Sequence, residues 1–245
     1  MARMLQPQDD YTANLLLGAL TPEARDRWAP DLVHVELPLG LVLAEPNERI
    51  QFVYFPTTAI VSLLYVMNTG ASAEVAVVGR EGIVGISLFM SGSATTNQIV
   101  VQSAGQGFRL PAAALRREFE RGGGTMRLLL HYTQALMAQM SQTAVCNRHH
   151  SLDEQLCRWL LLSLDRLPGD QLVMTQELIG NMLGVRREGV TEAANKLKSA
   201  GVIRYSRGRI TVLDRIALEA RTCECYGVVK EEYDRLLPDL HMHSQ

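Results

Sequence analysis

The chain has 245 residues and a formal net charge of −2, and 47% of its residues are hydrophobic. This is enough apolar material for two domains with separate cores. Aromatic residues make up only 6%, which argues against a surface that stacks single-stranded nucleic acid. The first residues lack the order of a signal peptide, and apolar runs such as Ala59–Met67 are too short for a membrane span. We therefore expect a soluble, cytoplasmic protein without a membrane partner.

The first half of the chain predicts short helices and then a β-roll. A helical run covers Asp9–Leu20, and Thr21-Pro22-Glu23 predicts the capped start of a second helix that reaches about Trp28. From Asp31 to Leu110, strand-forming runs alternate with turn signals, the last of which is Gly105/Gly107. Evenly spaced strands without long helices between them are typical of an antiparallel β-roll or barrel. The predicted strands are residues 33–37, 41–43, 51–55, 60–66, 73–78, 98–103 and 108–110.

A long helix is predicted from Thr125 to Asn147, after a short helix that begins at Pro111. Alternating steps of four and three residues along it form a coiled-coil seam. Other apolar positions, such as Leu129 and Leu136, can pack on the β-roll. One helix cannot bury both faces within a single chain, so we predict a homodimer; the alternative is one wide apolar face of a buried helix. The predicted seam consists of Met126, Leu130, Thr133, Met137, Met140 and Ala144.

A helix-turn-helix is predicted over Thr175–Ile203, after a helix that starts at the capping sequence Ser151–Glu154 and runs to Leu167. The segment reads TQELIGNMLGVRREGVTEAANKLKSAGVI, with apolar residues where two helices would cross. Gly180 lies where the helices pack closest, and Gly184 lies at the turn, where we expect a positive φ.

The second of these helices begins with Arg186-Arg187-Glu188. The N-terminal end of such a helix enters the major groove of DNA. Arginine can pair with guanine through two hydrogen bonds, and glutamate can accept from the cytosine amino group. The alternative is a plain helical hairpin with a solvated, charged end.

A two-stranded wing is predicted directly after the helix-turn-helix, with its tip at Arg207–Gly208. Between Thr175 and Leu213 there are seven Lys/Arg and three Asp/Glu, a local net charge of +4 in a chain of net charge −2. One basic segment in a nearly neutral chain indicates docking to DNA by one face. The remaining segment, Asp214–Leu237, predicts one or two helices that cover the winged domain.

Four cysteines are present, and we expect them to be reduced thiols. Cys223-Glu224-Cys225 has a tighter spacing than the usual zinc or redox motifs. His149-His150 or His241/His243 could complete a metal site, but we favour Cys146 and Cys157 as ordinary core residues and exposed tail histidines. The sequence thus predicts no metal site and no cofactor, with metal binding or redox sensing as the alternative.

The order of elements and the helix-turn-helix sequence resemble the Crp/Fnr family of bacterial transcription regulators. The resemblance extends over nearly the whole chain and is most specific at Ile179-Gly180, Gly184, Arg187-Glu188 and Val190. It implies that Arg187 and Glu188 read a G·C pair in a TGA-type half-site, that Arg186 contacts phosphate, and that phosphate is also held at Thr175. A further family arginine is replaced here by Glu192, which changes the expected half-site.

The resemblance is looser in the β-roll. Members that bind cyclic nucleotides hold the ribose with a glutamate and the phosphate with an arginine. Gly85 fits the family's turn glycine, but Ile86 stands in place of the glutamate and Asn97 or Gln98 in place of the arginine. We therefore expect no cAMP site of the familiar kind. A degenerate pocket would involve Gly85, Ile86, Ser87, Asn97 and Gln98. Arg80-Glu81 could replace the missing charges only if the sequence were aligned with the family motif in a shifted register.

The sequence also gives little support for the other sensor groups that the family uses. No cysteine precedes Cys146, which argues against the N-terminal iron–sulfur cluster of oxygen-sensing members. His34 and His131 are lone histidines and give little support for haem. A different small molecule, a cyclic dinucleotide, or no effector at all are the alternatives.

The predicted protein is an α+β homodimer that binds palindromic double-stranded DNA and, as the resemblance implies, works with RNA polymerase. The predicted domains are a β-roll with N-terminal helices (1–124), a dimerisation helix (125–148) and a winged helix-turn-helix domain (149–245). An enzyme with an incidental helical tail is disfavoured because no catalytic constellation stands out, and a dimer without DNA binding because the basic face is present. The predicted DNA-binding residues are Thr175, Gln176, Arg186, Arg187, Glu188, Thr191, Lys196, Arg207 and Arg209.

Overall fold

The computed structural model describes residues 3–4, 10–90, 94–167, 169–206 and 208–238, of which 3–4 by backbone alone. The strands are β1 (Arg3–Met4), β2 (Val33–Leu37), β3 (Val42–Ala44), β4 (Phe52–Pro56), β5 (Ile60–Val66), β6 (Ser72–Val78), β7 (Gln98–Ser103), β8 (Gly105–Pro111), β9 (Gln171–Val173), β10 (Ile203–Ser206) and β11 (Arg209–Val212).

The helices follow the same order along the chain. They are α1 (Leu15–Gly18), α2 (Pro22–Trp28), α3 (Ser87–Met90), α4 (Ala112–Arg121), α5 (Gly123–His149), α6 (Leu152–Leu164), α7 (Gln176–Leu183), α8 (Arg187–Ser199), α9 (Arg215–Glu219) and α10 (Glu224–Leu236). No helix of the described residues is both long enough and apolar enough to cross a membrane.

Two four-stranded antiparallel sheets form the β-roll, with strand orders β1-β2-β8-β4 and β3-β7-β5-β6. The predicted strands are present within one or two residues, except that β8 begins earlier than expected. Gly105 and Gly107, predicted to lie in a turn, pair with Leu37 and Val35 of β2. A Cβ on Gly105 would lie 2.4 Å from the backbone nitrogen of Ala59. These glycines therefore permit a close approach of two chain segments and do not form a turn.

The predicted N-terminal helical run is wrong in one respect. Asn14 interrupts it, because its side chain accepts from the amide of Leu17 and so caps a new helix, α1. The same side chain donates to the carbonyl oxygens of Pro56 and Gly82, at 2.8 and 2.9 Å. Asn14 is fully buried, and it fastens the N-terminal segment to the β-roll. The start of α2 is as predicted, with Thr21 as N-cap and Pro22 at the first position.

The long helix α5 runs from Gly123 to His149 and has one side against the β-roll. Leu129, Tyr132 and Leu136 are buried on that side. Helix α10 packs antiparallel on α5, so Tyr132 and Gln139 lie beside Tyr233. The prediction that the last helices cover the winged domain is therefore wrong for α10, which lies chiefly along the long helix.

Helices α6 to α9 and strands β9 to β11 form the winged unit. The predicted capping box is present, since Ser151 accepts from the amide of Glu154 and Glu154 accepts from the amide of Ser151. Helix α6 ends at Leu164, three residues before the predicted Leu167. The wing has a third strand that the sequence did not indicate, β9, which pairs with β11 in the order β10-β11-β9. Together, the sheets, the long helix and the helix-turn-helix confirm the predicted α+β fold.

Candidate nucleic-acid interface

Helices α7 and α8 form the predicted helix-turn-helix. Thr175 caps α7 by accepting from the amide of Leu178, and Gly184 ends it in the left-handed conformation with φ 67°. A Cβ on Gly180 would lie 3.0 Å from the carbonyl oxygen of Val185, so a larger residue would push the turn outward. Ile179, Leu183 and Val190 are buried where the helices cross. The apolar residues thus fix α8 and leave its polar side to solvent.

The N-terminal turn of α8 carries exposed charged side chains. Arg186 is its N-cap residue, and Arg187 and Glu188 form its first turn. All three side chains are exposed. The unpaired amides of a helix N-terminus add partial positive charge at this position. The turn therefore projects two guanidinium groups and one carboxylate from a rigid support.

The wing and the helix-turn-helix enclose an open cleft of about 420 Å³. The hydroxyl of Tyr205 in β10 donates to the carbonyl oxygen of Met174 at 2.9 Å, which ties the wing to the start of α7. Arg204 and Arg209 are exposed on the wing strands, whereas Arg207 lies outside the described residues. The cleft is lined by Thr175, Gln176, Glu177, Arg187, Tyr205, Ser206 and Gly208.

Three other predicted DNA-binding residues are engaged within the chain. The hydroxyl of Thr191 lies 2.8 Å from Oε1 of Gln176 and 2.9 Å from the carbonyl oxygen of Arg187, so it can donate to either. This contact connects α8 to the first turn of α7. Nζ of Lys196 lies 3.0 Å from Oδ2 of Asp153 and 3.2 Å from Oε1 of Glu192. Two carboxylates therefore neutralise much of the charge that Lys196 would present to DNA.

The predicted dimer seam lies largely on the exposed side of α5. Leu130 is 44% exposed and Met137 is 53% exposed. Ala144 is also exposed, and Met126 and Met140 are half-buried. Thr133 differs, because it is buried and donates to the carbonyl oxygen of Leu129, so it leaves little surface for a partner. Val145, which the sequence analysis did not include, adds a further apolar side chain that is 48% exposed.

The residues of the predicted small-molecule pocket lie around α3 and the start of β7. Gly85 has φ 105°, as a turn glycine requires, and Ile86 and Ser87 are half-buried after it. Nε2 of Gln98 donates to Oε2 of Glu45 at 3.0 Å. One of the two residues predicted to stand in place of the phosphate-binding arginine is therefore an amide bonded to a carboxylate.

A buried junction, which the sequence analysis did not foresee, joins the winged unit to the β-roll. Nε of Arg166 donates to Oε1 of Glu81 at 2.7 Å, and both side chains are at most 1% exposed. The indole of Trp159 donates to Oε1 of Glu74 at 3.0 Å. A Cβ on Gly79 would lie 2.5 Å from Cβ of Arg166, so the two units approach closely.

Burial raises the pKa of Glu74 to about 7, although hydrogen bonds from Ser62 and Trp159 and the charges of Arg158 and Arg166 oppose this rise. Glu81, which the sequence analysis considered for a shifted nucleotide site, instead accepts from Arg166 and from the amide of Gly79. Its carboxylate is therefore used within the junction.

Cys146 and Cys157 are buried, as predicted, but three of the four cysteines lie together with a histidine. The ligand atoms of Cys146, His150, Cys223 and Cys225 are all within 4.8 Å of one another. Cys157 is buried but outside this group. The sequence contained one signal, a C-x-C pair within the predicted helical segment 214–237. It gave no sign of the antiparallel packing of α10 that brings this pair to the end of α5.

Comparisons with known proteins agree with this architecture. The sequence pattern of the Crp-like helix-turn-helix domain matches residues 154–221. A search of curated protein sequences gives no match. FixK2 from Bradyrhizobium japonicum is similar in structure with a TM-score of 0.67 and 16% identity, over 78% of this chain and 98% of that one.

Two further solved structures show the same fold. The c-di-GMP-responsive global regulator CLP of Xanthomonas campestris has a TM-score of 0.62 and 13% identity, over 78% of this chain and 99% of that one. A CRP-family transcriptional regulator from Thermus thermophilus has a TM-score of 0.62 and 17% identity, over 76% of this chain and 95% of that one.

The molecule is thus a β-roll joined by a long helix to a winged helix-turn-helix, an architecture shared with transcriptional regulators. Residues 154–221 thus match the Crp-like helix-turn-helix domain, and the fold is similar to that of FixK2 and of the CRP-family regulator, as the resemblance in the sequence led us to expect.

Proposed function

We propose that the protein is a homodimeric transcription regulator that binds an inverted-repeat DNA operator in a sequence-specific manner. The observation that carries this proposal is the exposed first turn of α8, where Arg186, Arg187 and Glu188 project beside the cleft of the wing. Such a rigid turn, with a positive helix end behind it, suits a major groove. Action on promoters together with RNA polymerase, in the cytoplasm, completes the proposal.

In the proposed complex, residues of α8 read bases and residues around the cleft hold phosphates. Arg187 pairs with guanine, and Glu188 accepts from the cytosine amino group of the same base pair. Arg186, the N-terminus of α7 at Thr175, and Arg209 hold the backbone. Gln176 and Thr191 act chiefly by fixing α7 to α8, because they are bonded to each other.

The exposed apolar face of α5 supports the dimer. Leu130 and Met137 are large apolar side chains, about half exposed in the protomer and two helical turns apart. A second copy of the same helix would cover them in an isologous contact. Two α8 helices related by a twofold axis would then enter major grooves about 34 Å apart.

In vitro selection from a random pool of DNA duplexes tests the DNA-binding part. The full-length protein without added ligand is expected to enrich a palindrome with a TGA-like core. If no sequence is enriched, the selection is repeated with cAMP and with cyclic dinucleotides. Enrichment only with cAMP would contradict the proposed independence from cAMP, and enrichment only with a cyclic dinucleotide would identify the effector class. No enrichment under any condition would refute the proposed function.

The variant Met137→Glu tests the dimer. A carboxylate at this position would face its symmetry mate in an apolar contact, so the protein is expected to sediment as a monomer and to lose its preference for palindromes. His131→Glu is the matched control, because it lies on the same helix but, six residues before Met137, about 120° around the axis. If Met137→Glu remains dimeric, the contact surface lies elsewhere.

A further inference from the structure

Three thiols and one imidazole form a compact cluster where α5 ends and α10 begins. Sγ of Cys146 lies 3.6 Å from Sγ of Cys223, and Sγ of Cys225 lies 3.6 Å from Nδ1 of His150. No two of the four ligand atoms are more than 4.8 Å apart. In a tetrahedral zinc site, bonds of about 2.3 Å to sulfur and 2.0 Å to nitrogen place the ligand atoms about 3.5–3.8 Å apart. The cluster is therefore close to the size of a zinc site.

The second nitrogen of His150 is also arranged as in a metal site. Nε2 of His150 lies 3.3 Å from Oε2 of Glu224, on the opposite side of the ring from Cys225. Histidine ligands commonly donate their other N–H to a carboxylate, which fixes the ring and makes the ligating nitrogen a better donor. Glu224 thus orients the imidazole so that Nδ1 faces the thiols.

A helix N-terminus and a buried guanidinium lie beside the sulfur atoms. Cys223 and Cys225 lie at the N-terminus of α10, where the helix dipole carries partial positive charge. Arg158 is 3% exposed, and its Nε has no hydrogen-bond partner among the described residues. The guanidinium of Arg158 lies next to the thiol of Cys146. Arg158 therefore places an incompletely satisfied cation beside the cluster.

We propose that Cys146, His150, Cys223 and Cys225 bind one zinc ion per protomer in a closed tetrahedral site. Sulfur-rich tetrahedral sites of this kind select zinc or iron–sulfur clusters, and a Cys₃His set filling all four positions is typical of structural zinc. Binding replaces three thiol protons, which leave to solvent, by one Zn²⁺. The neutral cluster acquires a net charge of −1, which Arg158 balances.

The position of the site defines its effect. Cys146 and His150 precede α6, whereas Cys223 and Cys225 follow α9, so the ion joins the two ends of the helix-turn-helix and wing. It also fastens the start of α10 to the end of α5. The ion therefore closes a long loop of chain and holds the winged unit at a fixed position on the long helix.

Metal analysis of the full-length protein, purified reduced and without a histidine tag, tests the proposal. We expect one zinc per protomer in the wild type and a loss of most of it in Cys223→Ser and Cys225→Ser. Cys157→Ser is the matched control, because Cys157 is also buried but lies outside the cluster, and it should retain all of the zinc. Glu224→Gln should weaken zinc affinity by about tenfold or more, as second-shell changes do.

A spectroscopic measurement keeps the test valid if the serine variants fail to fold. Metal-free wild type titrated with Co²⁺ should give the visible bands of tetrahedral cobalt and the near-ultraviolet charge-transfer band of thiolate ligands. Zn²⁺ should then abolish both. Chelation should also lower the thermal midpoint of the wild type and not that of Cys225→Ser.

Several results would overturn the zinc assignment. One is a wild-type protein that holds no zinc after incubation with excess Zn²⁺ followed by dialysis. Another is equal zinc content in Cys225→Ser and Cys157→Ser. Iron with inorganic sulfide in place of zinc, or a Cys146–Cys223 disulfide in protein purified from cells, would also refute it. None of these measurements depends on DNA binding, so they separate this proposal from the proposed function.

Discussion

The DNA-facing side of the winged unit and its junction with the β-roll use charged residues in opposite ways. On α8, Arg187 and Glu188 are exposed, so their hydrogen-bonding capacity is available to a ligand. In the junction, Arg166 and Glu81 are buried and bonded to each other. The first pair adds little to folding, whereas the second holds the winged unit in one position. The comparison separates side chains that can read DNA from side chains that fix where the reading helix lies.

The same difference appears between two titratable side chains, Lys196 on α8 and Glu74 in the junction. Lys196 forms solvent-exposed ion pairs with Asp153 and Glu192, and pairs of this kind contribute little to stability. Glu74 is removed from solvent, so its ionisation is costly and its pKa rises. Substitutions in the junction should therefore change stability, and substitutions on α8 should change DNA binding.

The largest effect is expected from Arg166→Met. It removes the cation from the buried carboxylate of Glu81, and breaking a buried pair costs about 3–5 kcal/mol. The free energy of unfolding, measured with urea at neutral pH, should fall by that amount. The double variant Glu81→Gln/Arg166→Met should recover part of the loss, because the buried charge is gone while an acceptor for the amide of Gly79 remains. Equal stability of the single and double variants would show that the charge of Glu81 is not the cause.

Glu74→Gln should change the pH dependence of stability. The pKa of Glu74 is about 7 in the folded protein and 4.5 in the reference state, so the folded state keeps a proton that the unfolded state loses between these values. The carboxyl therefore contributes stability that is fully present below pH 4.5 and is lost as the pH rises through 7. The loss amounts to about 3 kcal/mol.

The amide of the Gln variant has no such titration. The free energy of unfolding of Glu74→Gln relative to the wild type should therefore rise by about 3 kcal/mol between pH 4.5 and 7 and level off above pH 7. Urea unfolding at several pH values measures the difference between the two proteins. A difference that does not change with pH would contradict the raised pKa of Glu74.

On the DNA-facing side, Arg187→Ala should weaken operator binding by about 1–3 kcal/mol and relax the preference at one G·C pair. Arg209→Ala is the comparison variant, because Arg209 is exposed on the wing and away from base edges in the proposed complex. It should weaken binding to all sequences alike and reduce the slope of log affinity against log salt concentration by about 1. Titrations of single-base operator variants at two salt concentrations distinguish these outcomes. Intact base preference in Arg187→Ala would mean that α8 is docked differently.

Local sequence was sufficient to predict the elements whose cause is local. The capping box at Ser151, the turn glycine Gly184 and the strand at 98–103 each depend on residues within a few positions of one another. The exposed first turn of α8 could be predicted for the same reason. The three-residue strand β9 could not, because it is shorter than any pattern that distinguishes a strand from a loop.

Contacts between distant segments could not be predicted in this way. Glu81 and Arg166 are 85 residues apart, and nothing near either one indicates its partner. The cysteine cluster has the same origin, since Cys146 and Cys223 meet only because α10 folds back along α5. Gly105 resembled a turn residue by type alone, whereas its role comes from the close approach of Ala59.

The smallest effect is expected from Glu192→Gln, which changes only the exposed charges of α8. Removing this carboxylate leaves Asp153 as the ion-pair partner of Lys196 among the described residues, and it takes one negative charge away from the face proposed to meet DNA. Affinity for all duplexes should rise by a small factor, and the salt dependence should steepen by at most about 1, the value for one additional phosphate contact. The free energy of unfolding should change by less than about 0.5 kcal/mol, as for an exposed helical pair.

Asp153→Asn provides the matched comparison for Glu192→Gln. It removes the other partner of Lys196 from α6 and leaves the charges of α8 as they are. If freeing Lys196 is what matters, both variants should steepen the salt dependence alike. If only Glu192→Gln does so, the carboxylate itself repels DNA at that position. An unchanged slope in both variants would place Lys196 outside the contact with DNA.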